Sequence, residues 1–215
     1  MDVAAAPYRF DAAEVLERAK RRLLDRVPED EAASRGDDDL NPHARAIPHD
    51  LPFKPAAVLV PIVPRPEGAT LLLTQRTQHL PSHAGQVAFP GGKIDATDAG
   101  PVEAALRETE EETGVEPRFV TPVGFLDLYI TRTGYRVVPV VALLEPGFAL
   151  RPEPGEVEAI FEVPLSFLMD PKNHARHSRV WQGLKRHYYA MPFGDRYIWG
   201  ATAGMIRNLY DRLYA

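Results

Sequence analysis

A chain of 215 residues, 45% of them hydrophobic and 26% charged, is long enough for one well-filled core and too short for two full-sized domains. Its net charge of -5 argues weakly against sequence-independent nucleic-acid binding, which rests on clustered basic charge. With no cysteine there is no disulfide framework, no thiolate metal site and no cysteine nucleophile.

The first residues, Met1-Asp2-Val3-Ala4, lack the basic start and apolar stretch of a secretory leader, and the longest apolar runs, 56–64 and 137–144, are strand-sized. A cytoplasmic protein with no membrane partner is expected. Asp11 to Val27 reads as an amphipathic helix, with Val15, Leu16, Ala19, Leu23 and Leu24 at helical spacing, Asp11 as the cap and a solvated basic side. Pro28 to Leu51 is polar, broken by prolines and carries Asp37-Asp38-Asp39, so it reads as a loop or extended arm. Residues 1–50 are therefore expected to form a helix and arm, and residues 51–215 the main domain.

Ala56 to Val63 and Thr70 to Arg76 are strand-like runs joined by a Pro-Glu-Gly turn, a predicted hairpin. Arg76 leaves the second run towards a Gly-rich loop, where a cation suits a diphosphate; a strand-end salt bridge is the plain alternative. The loop runs Gly85-Gln86-Val87-Ala88-Phe89-Pro90-Gly91-Gly92, whose Pro-Gly-Gly brings backbone close to something else. A carbonyl at Gly92 is a further oxygen for a metal.

An acidic helix follows. Asp98 and Gly100 are cap candidates, Pro101 suits the first helical position, and Gly114 stops it. Val102, Ala105, Leu106, Thr109 and Thr113 share the face to be buried, and Glu108, Glu111 and Glu112 share an adjoining sector. Two carboxylates about 6 Å apart repel by about 3 kcal/mol at an effective dielectric of about 20, a cost that Mg²⁺ or Mn²⁺ removes by taking their oxygens. Most acidic runs on helices are solvated faces; the preceding Gly-Gly loop favours the metal. Arg107, one turn from Glu103 and Glu111, either makes an ordinary helix salt bridge or holds Glu111 in position.

Phe119 to Ile130 and Tyr135 to Leu144 read as a second hairpin turning at Thr131–Gly134, and Arg151 to Glu158 as a loop before a strand over Ala159 to Val163. Pro164 to Met169 reads as a short helix, Arg179 to Phe193 as a last hairpin, and Tyr197 to Tyr214 as a final amphipathic helix. In that helix Trp199-Gly200-Ala201-Thr202-Ala203 is read as core packing.

Gly92, Asp98, Arg107, Glu108, Glu111, Glu112 and Gly114 together resemble the Nudix hydrolase box, with Asp98 in place of the usual Glu and eight residues between it and Arg107. That longer spacing is similar to the coenzyme A diphosphatase branch. So are Leu72-Leu73-Thr74-Gln75-Arg76, His83-Ala84-Gly85-Gln86-Val87 and Phe89-Pro90-Gly91-Gly92, although Thr77 and Pro81 stand where the branch usually has Ser or Ala and a second Arg. The resemblance implies an α/β/α sandwich with a mixed sheet, here with added N-terminal and C-terminal helices. It implies Glu108, Glu111, Glu112 and Gly92 as metal ligands, Glu111, Arg107 and Glu108 as catalytic residues, and Arg76, His83, Gln86 and Phe89 on the substrate side. Nudix enzymes often place a further glutamate on a loop outside the box, for which Glu156 and Glu158 are the candidates; a plain surface residue is the favoured alternative for either.

The expected activity is Mg²⁺- or Mn²⁺-dependent hydrolysis of coenzyme A or an acyl derivative to 3',5'-ADP and 4'-phosphopantetheine or its acyl form. ADP-ribose or another nucleoside diphosphate derivative is the alternative substrate class, and a non-catalytic nucleotide-binding protein the alternative of another kind. A small-molecule partner is expected, and a homodimer stays open.

Overall fold

The computed structural model describes residues 8–29, 34–41, 52–181 and 183–215; parts of the arm predicted over Pro28–Leu51, and Gln182 in the last hairpin, lie outside the described residues. Helix α1 (Ala12–Arg22) is capped by Asp11, whose carboxylate accepts from the Glu14 N–H. It ends short of the predicted Val27 because Leu23 is extended and Leu24 exchanges backbone hydrogen bonds with Phe125.

The main sheet is built from β1 (Arg35–Gly36), β2 (Lys54–Val63), β3 (Thr70–Arg76), β4 (Val87–Ala88), β5 (Gly91–Lys93), β6 (Val120–Phe125), β7 (Tyr129–Ile130), β8 (Tyr135–Leu144) and β9 (Val157–Pro164). It is mixed. The predicted first hairpin is present, but β2 and β3 pair only at Ile62↔Leu71 and Val63↔Thr70. Beyond that point they fork: β2 continues parallel to β8, from Lys54↔Tyr135 to Ile62↔Leu143, while β3 runs antiparallel to β9. The Gly-rich segment fills the fork, with β4 on β3 (Thr74↔Ala88) and β5 on β2 (Ala57↔Gly92). The fork is where the site forms.

Alternation along the strands feeds two cores. Leu71 and Leu73 face one side of the sheet, where Met205, Ile206 and Leu209 of α4 (Gly200–Leu213) and Val15 of α1 pack. Leu72 and Leu59 face the other, against Ala104 and Ala105 of α2 (Pro101–Thr113). This is the expected α/β/α arrangement, with α1 and α4 as the added terminal helices.

Three predicted boundaries change. The run Phe119–Ile130 is two strands rather than one: β6 ends at Phe125 and β7 begins at Tyr129, with the Leu126 N–H between them donating to the Pro139 carbonyl, and β6 itself bulges between Pro122 and Gly124, where Gly124 takes a φ of 152°. The last hairpin starts earlier, as β10 (Ala175–Trp181) and β11 (Leu184–Phe193), and Tyr197–Trp199, predicted as the start of the final helix, belong instead to β12 (Arg196–Trp199), paired with β11. The arm also docks: β1 lies parallel to β7, Asp37 accepts from the Tyr129 hydroxyl at 2.9 Å and from the Arg132 N–H, and the Asn41 side chain exchanges hydrogen bonds with the His187 backbone.

Between the short helix α3 (Leu165–Leu168) and α4, the buried His174 donates from Nε2 to the Leu168 carbonyl at 2.7 Å, while Nδ1 has no partner. Protonating Nδ1 would bury an unpaired donor, and burial lowers this histidine's pKa below its ordinary 6.5. As pH falls below about 6.5 the unfolded chain takes up a proton that the folded chain does not, so stability is expected to fall with pH there. Urea unfolding of wild type and His174→Gln at several pH values checks this. The wild type should show the steeper decline, and equal slopes would refute the assignment.

Candidate active site

Helix α2 begins at Pro101 and ends at Gly114, whose φ of 76° lets its N–H reach the Glu110 carbonyl. Thr109 and Thr113 bury their hydroxyls by donating to the carbonyls of Ala105 and Thr109, both at 2.6 Å. The three predicted ligands differ sharply in burial. Glu112 is 4% exposed, Glu108 is half-buried, and the Glu111 side chain is 60% exposed. The cause is angular: Glu112 lies one heptad after the buried Ala105, Glu108 on the flank, and Glu111 at the edge of the buried sector.

The Gly-rich loop meets this helix through its glycines. Gly91 N–H donates to Glu112 Oε2 at 3.2 Å, and a Cβ on Gly92 would lie 2.5 Å from the Glu108 carboxyl carbon, so only glycine leaves room for that carboxylate. Burial pushes the Glu112 pKa up to about 7, with the Glu108 and Glu156 charges adding to it and the Gly91 N–H and Arg76 opposing it. Burial also raises that of Glu108, opposed by Arg107 and reinforced by Glu111 and Glu156.

Two arginines answer these carboxylates. Arg107 grips Asp98 with Nε at 3.0 Å and Nη2 at 2.9 Å, donates from Nη2 to the Lys93 carbonyl, and shares Nη1 between Glu108 at 3.0 Å and Glu111 at 3.3 Å. It ties the loop after β5 to the helix, and the Asp98 carboxyl beside it is held below the usual carboxylate range. Arg76 brings Nη1 to 3.6 Å from Glu112 Oε1, while its Nε is buried with no hydrogen-bond partner.

The predicted substrate-side residues separate into rim and core. Arg76 N–H donates to the Gln86 carbonyl at 3.0 Å and Gly85 N–H to the Thr77 carbonyl at 3.2 Å, so Arg76 and Gln86 sit side by side. His83 Nδ1 lies 3.0 Å from Gln86 Oε1, and His83 holds a φ of 56°, a conformation that non-glycine residues seldom adopt outside constrained sites. Phe89 is 3% exposed and belongs to the core beneath the loop, where it presents no surface to a ligand.

The loop before β9 adds a fourth carboxylate. Glu153 N–H donates to the Glu112 carbonyl and Thr77 N–H to the Glu156 carbonyl, and the buried Thr77 hydroxyl donates to Gly155. Those bonds pin the loop across the helix end, where the Glu156 charge is felt at both Glu108 and Glu112. Glu158 is exposed, as Glu156 is, but lies on β9 and not on the pinned loop. Sequence spacing alone left the two equal, and the loop's attachment to α2 separates them.

The sequence matches the NUDIX domain over residues 53–183, more than half of the chain. The chain belongs to the Nudix family. Among its relatives are the proteins named "Uncharacterized Nudix hydrolase NudL" of Escherichia coli strain K12 and of Shigella boydii serotype 18. Each is 44% identical over 167 residues, covering 74% of this chain and 82% of the relative. A similar solved structure is a MutT/nudix family protein from Enterococcus faecalis, 18% identical, with a TM-score of 0.48 over 79% of this chain and 65% of that one.

As a Nudix hydrolase the protein acts on diphosphate bonds, and members of the family generally use divalent metals. Among the described residues, no three His, Cys, Asp or Glu side chains stand close enough together to hold a metal ion as they are oriented. Arg107 draws Glu108 and Glu111 to one side, and Arg76 and the Gly91 N–H hold Glu112 on the other. The donor set nevertheless fits a hard cation: it offers only oxygen, Glu108 and Glu112 have pKa values raised by burial and by neighbouring carboxylates, and the missing Gly92 side chain leaves Glu108 its space.

Proposed function

We propose that this Nudix hydrolase cleaves the diphosphate of coenzyme A or an acyl derivative, giving 3',5'-ADP and 4'-phosphopantetheine or its acyl form. The observation that carries the reading is the fork between β2 and β3. It brings Glu108 and Glu112 against the Gly91–Gly92 backbone, within reach of the Glu156 charge, and sets Arg76, whose N–H bonds the Gln86 carbonyl, beside Glu112, so the upstream Arg76 and the acidic helix meet at one place.

Glu108, Glu111 and Glu112, with the Gly92 carbonyl, would hold Mg²⁺ or Mn²⁺, which would supply charge neutralisation at the diphosphate and a more acidic water. Arg107 positions Glu108 and Glu111 through its shared Nη1. Arg76, whose buried Nε has no partner, offers a guanidinium to the diphosphate oxygens. The Gln86 and His83 side chains, in contact with each other at 3.0 Å, are the further candidates for the substrate side. Incubation with Mg²⁺ or Mn²⁺ and a panel of coenzyme A, ADP-ribose and dinucleotides, with products identified by mass, tests the reading. Turnover of ADP-ribose in preference to coenzyme A would move the protein to the alternative substrate class, and binding without turnover on every member would make it a nucleotide-binding protein.

Pro81 is exposed on the loop carrying His83, at the position where the branch usually has Arg. Pro81→Arg is expected to raise the preference for coenzyme A over its 3'-dephospho form severalfold, because at an exposed position an ion pair to phosphate contributes about 1 kcal/mol. The ratio of kcat/KM values measures it, and an unchanged ratio refutes it.

A further inference from the structure

The β10–β11 hairpin contributes none of the site carboxylates, and its charge runs opposite to that of the protein. No Asp or Glu occurs from Pro171 to Gly194, whereas that stretch contains Lys172, Arg176, Arg179, Lys185 and Arg186 in a chain of net charge -5. Among the described residues Arg176, Arg179 and Lys185 have no carboxylate partner. Arg179 lies 4.7 Å over the Trp199 ring and Arg176 5.9 Å over Tyr189, contacts that hold the guanidiniums without cancelling their charge. At the end of the hairpin Val180 is 72% exposed and Leu184 51%, more than any other large hydrophobic residue described. The register places Val180 opposite Lys185, and the turn also contains Trp181 in sequence.

Two aliphatic side chains held in water and flanked by uncompensated cations match the boundary of an anionic bilayer, where apolar groups leave water and Arg or Lys meets lipid phosphate. We propose that the tip of β10–β11 docks the protein on an anionic lipid surface, with Val180 and Leu184 entering the headgroup region and Arg176, Arg179 and Lys185 contacting the phosphates. A single-stranded nucleic acid would call for open aromatic faces. Among the described residues of the tip the exposed apolar groups are aliphatic, and Tyr188 and Trp199 pack on each other at 5.3 Å with Arg179 over the latter. A second copy adding a strand to the outer edge of β10 would bring Arg176 and Arg179 against their own counterparts. No described helix is long and apolar enough to cross a membrane, but that concerns crossing and not attachment to a surface, which the sequence reading did not separate.

Flotation of the full chain with vesicles of phosphatidylcholine, alone or mixed with phosphatidylglycerol, tests the docking. Binding is expected only to the mixed vesicles and should weaken with salt. Arg179→Ser with Lys185→Ser is expected to reduce partitioning by at least roughly tenfold, and Val180→Ser with Leu184→Ser to reduce it by a similar factor with charge unchanged. Circular dichroism should stay native for both, since these side chains are exposed. The proposal is overturned by no binding to the mixed vesicles, or by undiminished binding of the Val180/Leu184 variant. It is equally overturned by tighter capture of a single-stranded oligonucleotide at the same salt, or by self-association that the Val180/Leu184 variant abolishes.

Discussion

Glu112→Gln is expected to lower turnover by on the order of a thousandfold while the protein unfolds at nearly the wild-type temperature. Glu112 is the most buried carboxylate of the site, and it is held by the Gly91 N–H and faced by Arg76. Glutamine keeps the shape and the acceptor for Gly91 but removes the charge that a cation needs. The stability change is expected within about 1 kcal/mol because two effects oppose: relief of a desolvated charge near Glu108 and Glu156, and loss of a partner for Arg76. Steady-state kinetics on the substrate found in the panel, beside a thermal melt, gives both readouts. Wild-type-like turnover would remove Glu112 from the chemistry.

The second large effect distinguishes two adjacent glycines. A Cβ on Gly91 would collide with the Ala57 carbonyl and lie 2.6 Å from Val58 Cα, at a φ of 148° that side chains rarely adopt. Both obstacles are backbone of the central strand β2, so Gly91→Ala is expected to cost about 3 kcal/mol or more, which for a chain of this size is a drop of about 10 °C in Tm. A Cβ on Gly92 meets only the end of the Glu108 side chain, at 2.5 Å from its carboxyl carbon, and that side chain can turn away. Gly92→Ala is therefore expected to shift Tm by no more than about 2 °C while lowering turnover about a hundredfold by displacing a ligand. Calorimetry and kinetics on the two variants separate the roles. Equal Tm losses would show that Gly92 serves the fold and not Glu108.

Both predictions bear on how legible the site was in the residues themselves. The acidic helix, its start at Pro101, its stop at Gly114 and the close approach at Gly91–Gly92 were all readable from local rules. The burial of Glu112 was only half readable: helical angle placed it beside the face to be buried, and the wider buried sector, which takes in Ala104 as well, covers it. Phe89 was read with its motif, and only its packing shows it in the core. The strand β12 was missed because Arg196–Trp199 is too short for its period to show, and its pairing with β11 is what makes it a strand.

Sequence by itself determined the family, the oxygen-rich chemistry of the box and most of the element types, because capping, turn residues and periodicity act over a few neighbouring positions. The tertiary structure decided what depends on distant segments meeting. Among these are the fork that separates β2 from β3, the parallel pairing of β2 with β8 and the pinning of Glu156 across the end of α2. So is the claim of both arginines on the site carboxylates. Contacts between residues far apart in the chain are set by how the two cores close around the sheet, and no local pattern encodes that closure.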